Sequence, residues 1–130
     1  MSTNSIALFC AAALGLLLFG LGLAVSALRM QSSRFNASSV EIDSLLHRVV
    51  RAHGNTAEFV PLLVVLILFL GSHNPADWTV ACIIGATACR FLLAAGLVFA
   101  RSMSQPNPLR FIGALGTYLF GAALCFALIR

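Results

Sequence analysis

Four long apolar stretches fill most of the chain and are separated by short polar breaks. The first runs from about Ser5 to Leu28, the second from Leu45 to Leu70, the third from Ala76 to Ala100 and the fourth from Leu109 to Ile129. Each matches the roughly 20–25 apolar residues with which an α-helix crosses a hydrocarbon layer about 30 Å thick. The later breaks, Gly71-Ser72-His73-Asn74-Pro75 and Ser104-Gln105-Pro106-Asn107-Pro108, are clusters of turn-forming residues. The first break, from Arg29 to about Ile42, is longer and polar, and Asp43 or Ser44 is placed to cap the second helix. Short connections make sequence neighbours antiparallel. The pattern therefore predicts an all-α fold, an integral membrane up-down four-helix bundle forming one transmembrane domain over residues 1–130. Val25-Ser26-Ala27 resembles a signal-peptide cleavage site. No basic segment precedes it, and the apolar run exceeds the roughly 7–15 residues of a signal core, so a retained helix is expected.

Composition sharpens this picture. The chain is 60% hydrophobic and 9% charged, against roughly 25% charged in soluble domains. All eight basic residues are Arg, and the net charge is +4. Most sit singly near helix ends and none is in a tract, which argues against nucleic acid and for membrane-surface contacts or an anionic ligand. Arg29, Arg34, Arg48, Arg51, Arg101 and Arg110 belong to one side, and the second connection has no basic residue. The excess of Arg predicts that this side is cytoplasmic and that both termini lie opposite, with Arg130 alone opposing it. On that topology the glycosylation pattern Asn36-Ala37-Ser38 faces the wrong compartment. Cys10, Cys82, Cys89 and Cys125 lie in apolar runs without metal-ligand spacing, and read as small hydrophobic side chains rather than a metal site. Gly113, Thr117, Gly121 and Cys125 recur every fourth residue and predict a close helix-packing seam.

The second span is apolar only in its later half. Arg48, Arg51, Asn55 and Glu58 are spaced three, four and three residues apart. At about 100° per residue they fall within an arc of roughly 80°, while His53 points elsewhere. Glu58 lies roughly 20 Å from the turn at Gly71, which submerges it by about 10 Å in the hydrocarbon layer. A carboxylate there requires a partner. Arg90, in the antiparallel third span, lies at similar depth, which predicts a Glu58–Arg90 pair within or between subunits. Such a pair can lock the bundle as well as serve a ligand. The remaining Arg residues exceed the acids at that level, so a cleft there favours an anion. Arg101 and Arg110 can also reach lipid phosphates.

The segment Arg48-Val-Val-Arg-Ala-His-Gly-Asn-Thr-Ala-Glu-Phe-Val-Pro61 resembles the signature of the MAPEG superfamily, the membrane-associated proteins in eicosanoid and glutathione metabolism. Arg90 in the third span and Pro108-Leu-Arg110 opening the fourth extend the resemblance over essentially the whole chain. It implies a homotrimer that binds glutathione between subunits near the cytoplasmic side. By motif match Arg51, Asn55 and Glu58 would hold the tripeptide's carboxylates and amino group, Arg48 and Arg90 would support the cleft, and Arg110 would stabilise the thiolate. That thiolate would attack a hydrophobic electrophile or a lipid hydroperoxide delivered by the membrane. Leu93 and Leu97 stand where characterised members often carry aromatic or His side chains, Phe59 where some have Tyr, and Phe111 where some have Ser. Fewer hydroxyls would therefore meet the ligand.

The leading expectation is a glutathione-dependent transferase or peroxidase. One alternative is a non-enzymatic member of the same kind that binds lipid or a partner protein. A second is a small proton-coupled transporter using Glu58 as its proton site.

Overall fold

The computed structural model describes residues 3–32 and 44–130. Four helices account for nearly all of them: α1 (Ser5–Ser32), α2 (Leu45–Gly71), α3 (Asp77–Val98) and α4 (Pro108–Ile129). There is no strand among the described residues. All four helices are long and apolar enough to cross a membrane. Arg34, the Asn36-Ala37-Ser38 pattern, Glu41 and Asp43 lie outside the described residues.

The helix ends follow from local chemistry. Asn4 starts α1 by accepting from the Ile6 and Ala7 amides, while its own amide donates to the Gly71 carbonyl at 2.9 Å. The start of α1 is thereby tied to the end of α2. Ser44 caps α2 by accepting from the His47 amide at 3.1 Å. At the other end Asn74 takes φ 48°, a left-handed conformation that Asn tolerates, and Pro75 prevents the helix from resuming. Asn107 caps α4 through the Leu109 amide at 2.9 Å, and Pro108 occupies the first turn, where its missing N–H costs no helical bond. α4 thus starts one residue before the expected Leu109, and α1 runs four residues beyond the expected Leu28.

The third span is shorter than the expected 76–100. Arg48 explains where it stops. Its Nη1 donates to the carbonyls of Val98 at 2.6 Å and Ala100 at 3.0 Å, so a guanidinium from α2 caps the C-terminus of α3. A cation at that end also complements the helix dipole.

α1 packs mainly on α2 and α4 mainly on α3, with the α2–α3 contact joining the two pairs. A core of Leu14, Val60, Ile67, Ile83, Ala86 and Leu124 fills the centre. Outward faces such as Phe9, Leu16, Phe19 and Leu23 on α1 remain exposed, which suits a chain whose solvent is hydrocarbon. The C-terminus of α1, the N-terminus of α2, the C-terminus of α3 and the N-terminus of α4 share one end of the bundle. That end carries Arg29, Arg48, Arg101 and Arg110; Arg130 is at the other.

The expected small-residue seam is only half present. A β-carbon at Gly113 would lie 2.6 Å from the Leu93 amide nitrogen, and one at Gly116 would collide with the Cys89 sulfur, so α4 meets α3 almost backbone to backbone there. Thr117 is buried beside them. Gly121 has open space around it and Cys125 is exposed, because a four-residue spacing drifts about 40° per step and leaves the α3 contact after two steps.

Gly113→Leu is expected to destabilise the bundle by about 1–3 kcal/mol through overpacking, whereas Gly121→Ala leaves the melting temperature of the detergent-solubilised protein nearly unchanged. Arg48→Ala is expected to cost roughly 1.5–3 kcal/mol by removing a charged donor from the α3 carbonyls; the same melting experiment measures it.

Candidate functional site

A cavity of about 490 Å³ opens between α2, α3, α4 and the α3–α4 connection, at the Arg-rich end. Its size falls within the roughly 300–1,000 Å³ of small-molecule sites. Arg51 and Asn55 from α2, Arg90 from α3 and Arg110 from α4 all line it. No Asp or Glu does.

Arg90 forms its floor. It lies about 12 Å inside the Val98 end of α3 at about 1.5 Å per residue. The side chain is 1% exposed, the largest of the fully buried residues. Its Nη2 donates to Asn55 Oδ1 at 2.7 Å, and its Cζ stands 5.1 Å from the Phe59 ring centroid, over the ring face. Asn55 and Phe59 are four residues apart and so present one face of α2 to it. Its Nε and Nη1 are buried without a hydrogen-bond partner among the described residues. Two donors of a permanent cation are thus left unused beside the cavity.

Arg110 is half-buried in the first turn of α4, and its Nη1 donates to the Met103 carbonyl at 3.1 Å. That bond draws the α3–α4 connection over the cavity, where Met103, Ser104, Gln105 and Pro106 line the rim. Asn107 Nδ2 anchors the same connection to the Gly96 carbonyl at 3.1 Å. The helix N-terminus adds its own partial positive charge at Arg110. Arg51 is exposed at the mouth and makes no hydrogen bond to any described residue. Three guanidiniums, one helix N-terminus and, among the described residues, no carboxylate make the cavity a place for an anion.

The expected Glu58–Arg90 pair is not formed within the chain: no hydrogen bond or ion pair joins them, and Arg90 turns to Asn55 instead. The reason is rotation. Glu58 lies about 100° around α2 from Phe59, which covers Arg90. It is exposed and lines a second, apolar groove of about 280 Å³ between α2 and α4. Arg48 also stands apart from the cavity, committed to the end of α3. Of the six residues singled out by sequence, four therefore converge on one cavity, one lines the adjoining groove and one is a helix cap. Leu93 and Leu97 form an apolar wall of the cavity.

Tyr118 escaped the sequence reading. It lines both the cavity and the groove, and its ring packs against Phe59 at 5.8 Å between centroids, tilted by 59°. The signal was present: Arg110, Ala114, Thr117 and Tyr118 fall at i, i+4, i+7 and i+8, one face of α4. In an apolar helix a lone Tyr is easily taken for an interfacial anchor.

No curated protein and no solved structure matches the chain. A family model does, over residues 7–130, a stretch that holds the whole cavity, the groove and all four helices but the first two residues of α1. Arg51, Asn55 and Arg90 line one cavity, and on the family match the chain belongs to the MAPEG family of integral, multi-pass membrane proteins.

Proposed function

We propose that this protein is a glutathione-dependent membrane transferase or peroxidase. The observation that carries the reading is the cavity's charge: among the described residues Arg51, Arg90 and Arg110 line it without an acid, and Arg90 keeps two buried nitrogens without a partner. Glutathione supplies two carboxylates, an amino group and a thiol. On this reading Arg90 and Arg51 take the carboxylates, Asn55 fixes the Arg90 fork and offers its remaining polar atoms, and Arg110 faces the sulfur. A free thiol titrates near about 8.5, so most of it is protonated at neutral pH, and an adjacent guanidinium favours the thiolate. The thiolate then attacks a hydrophobic electrophile or lipid hydroperoxide that arrives through the groove between α2 and α4. A site at this depth lets a water-soluble nucleophile meet a membrane-soluble partner in fixed geometry.

Glu58 and Arg51 are exposed on a membrane-spanning helix, and a charge facing hydrocarbon calls for a partner. A second copy of the chain in a homotrimer would cover both, and would allow Glu58 to meet the ligand amino group or an Arg across the interface. The cytoplasm is the proposed location of the Arg-rich end, by the positive-inside rule.

The apolar wall formed by Leu93 and Leu97 favours a second reading, a member that binds a lipid or partner protein at this cavity without chemistry. Transport would instead use Glu58, exposed in the groove, as the proton site.

With glutathione added to the solubilised protein, the ultraviolet thiolate band is expected to appear. Arg110→Ala is expected to abolish the band at neutral pH, to move the rising limb of the rate–pH profile upward and to lower kcat roughly 100-fold. Binding without a thiolate band, with Arg110→Ala indistinguishable from wild type, would select the non-enzymatic reading. Proton-coupled uptake into vesicles that Glu58→Gln abolishes would select transport.

A further inference from the structure

Tyr118 is the only tyrosine of the chain, and it stands where the Arg-lined cavity passes into the apolar groove. Three side chains line both spaces: Phe59, Thr117 and Tyr118. Phe59 has no polar atom and turns its face to Arg90. Thr117 has committed its hydroxyl to the Gly113 carbonyl at 2.7 Å. Tyr118 differs from both. Its ring is steadied by Phe59, it is 60% exposed, and its hydroxyl makes no hydrogen bond to any described residue. A phenol facing hydrocarbon normally finds a partner for its O–H. Here the O–H has no hydrogen-bond partner among the described residues and stands within electrostatic reach of Arg90.

Its direction is suitable. Tyr118 follows Arg110 by about 12 Å along the axis of α4, at about 1.5 Å per residue, on the same face. Side chains on a helix lean toward its N-terminus, so Tyr118 leans toward Arg110. The space between the two is where a thiolate held by Arg110 would meet a second reactant. Beyond Tyr118 the groove continues between Leu62, Leu63 and Leu66 of α2 and Gly121 and Ala122 of α4. The open space around Gly121 leaves room for an alkyl chain.

Resting on the glutathione reading above, we propose that Tyr118 is the proton donor of a peroxidase reaction on a lipid hydroperoxide whose chain lies in the α2–α4 groove. The glutathione sulfur forms a bond to the terminal peroxide oxygen. The oxygen–oxygen bond breaks, its electron pair goes to the oxygen that remains on the lipid, and that oxygen takes the phenol proton. The lipid leaves as its alcohol, and water returns a proton to the phenolate. The glutathione sulfenic acid so formed is reduced by a second glutathione to the disulfide and water. Sulfur is oxidised and the peroxide is reduced. Aromatic substitution on chlorodinitrobenzene expels chloride and needs no such donor, so Tyr118 biases the site toward the peroxide.

The test compares wild type and Tyr118→Phe in proteoliposomes with glutathione and, separately, a fatty-acid hydroperoxide and chlorodinitrobenzene. The variant is expected to lower kcat for the hydroperoxide by roughly 100-fold, the scale of losing one transition-state donor, with little change in its KM. The ratio of hydroperoxide to chlorodinitrobenzene turnover should fall by a similar factor. Equal losses on both substrates, or no loss, would overturn the role of Tyr118 while leaving the glutathione reading in place. Wild-type protein that turns over neither substrate would overturn the glutathione reading and this proposal with it.

Discussion

A guanidinium held inside a membrane-spanning bundle has to be compensated nitrogen by nitrogen, and the surroundings of Arg90 are built around that requirement. Placing an Arg at the middle of a bilayer-spanning helix costs about 2.5–3.5 kcal/mol on insertion scales, and more on an isolated helix. Asn55 and the face of Phe59 offset part of this at Nη2 and over the ring plane. Neither reaches Nε or Nη1. The helices supply no acid to this cavity, although an acid stands nearby on α2. A chain selected only for stability would gain from turning Glu58 inward or replacing Arg90 by a hydrophobe. Keeping a buried cation half-compensated makes sense when the missing partner is a ligand.

The packing that produces this arrangement is continuous with it. Gly113 and Gly116 let α4 approach α3 closely enough to set Arg110 and Tyr118 beside the cavity rather than outside it. Arg48 fixes the end of α3, and Arg110 and Asn107 fasten the connection that follows. The outcome is a polar chamber at one end of the bundle, adjoining an apolar groove, with Phe59 and Tyr118 at the boundary. Water-soluble and membrane-soluble molecules would reach that boundary from opposite sides.

Most of the fold could be read from the chain, because bilayer-spanning helices announce themselves by length and apolarity, and the turn clusters at Gly71–Pro75 and Ser104–Pro108 divide them. The helix ends were less legible where a distant side chain intervenes, as Arg48 does at Val98. For the site, periodicity placed Arg51 and Asn55 on one face of α2, and depth matched Arg90 to Glu58 rather than to the Asn55 that it meets. They did not supply rotation. A residue 80° around a helix from Arg48 can face a neighbouring helix or the opposite groove, and only the packing of α2 against α3 sends Glu58 to the latter. The seam on α4 failed in the same way: spacing four holds one face for two turns and then drifts off it. Tyr118 was overlooked because its value depends on which spaces it separates, a property of the packed helices alone.

The central claim is that the unpaired donors of Arg90 and the neighbouring guanidiniums hold the carboxylates of a glutathione molecule. Calorimetric titration of the reconstituted protein with glutathione and with its dimethyl ester measures this directly, since the ester keeps the thiol and the peptide but removes both carboxylates. The account predicts that the acid binds at least about tenfold more tightly, the equivalent of one charge-assisted hydrogen bond of about 1.5–3 kcal/mol, and that Arg90→Leu narrows the difference while Arg51 keeps part of it. Equal affinity for acid and ester, or a difference undiminished in Arg90→Leu, would contradict it.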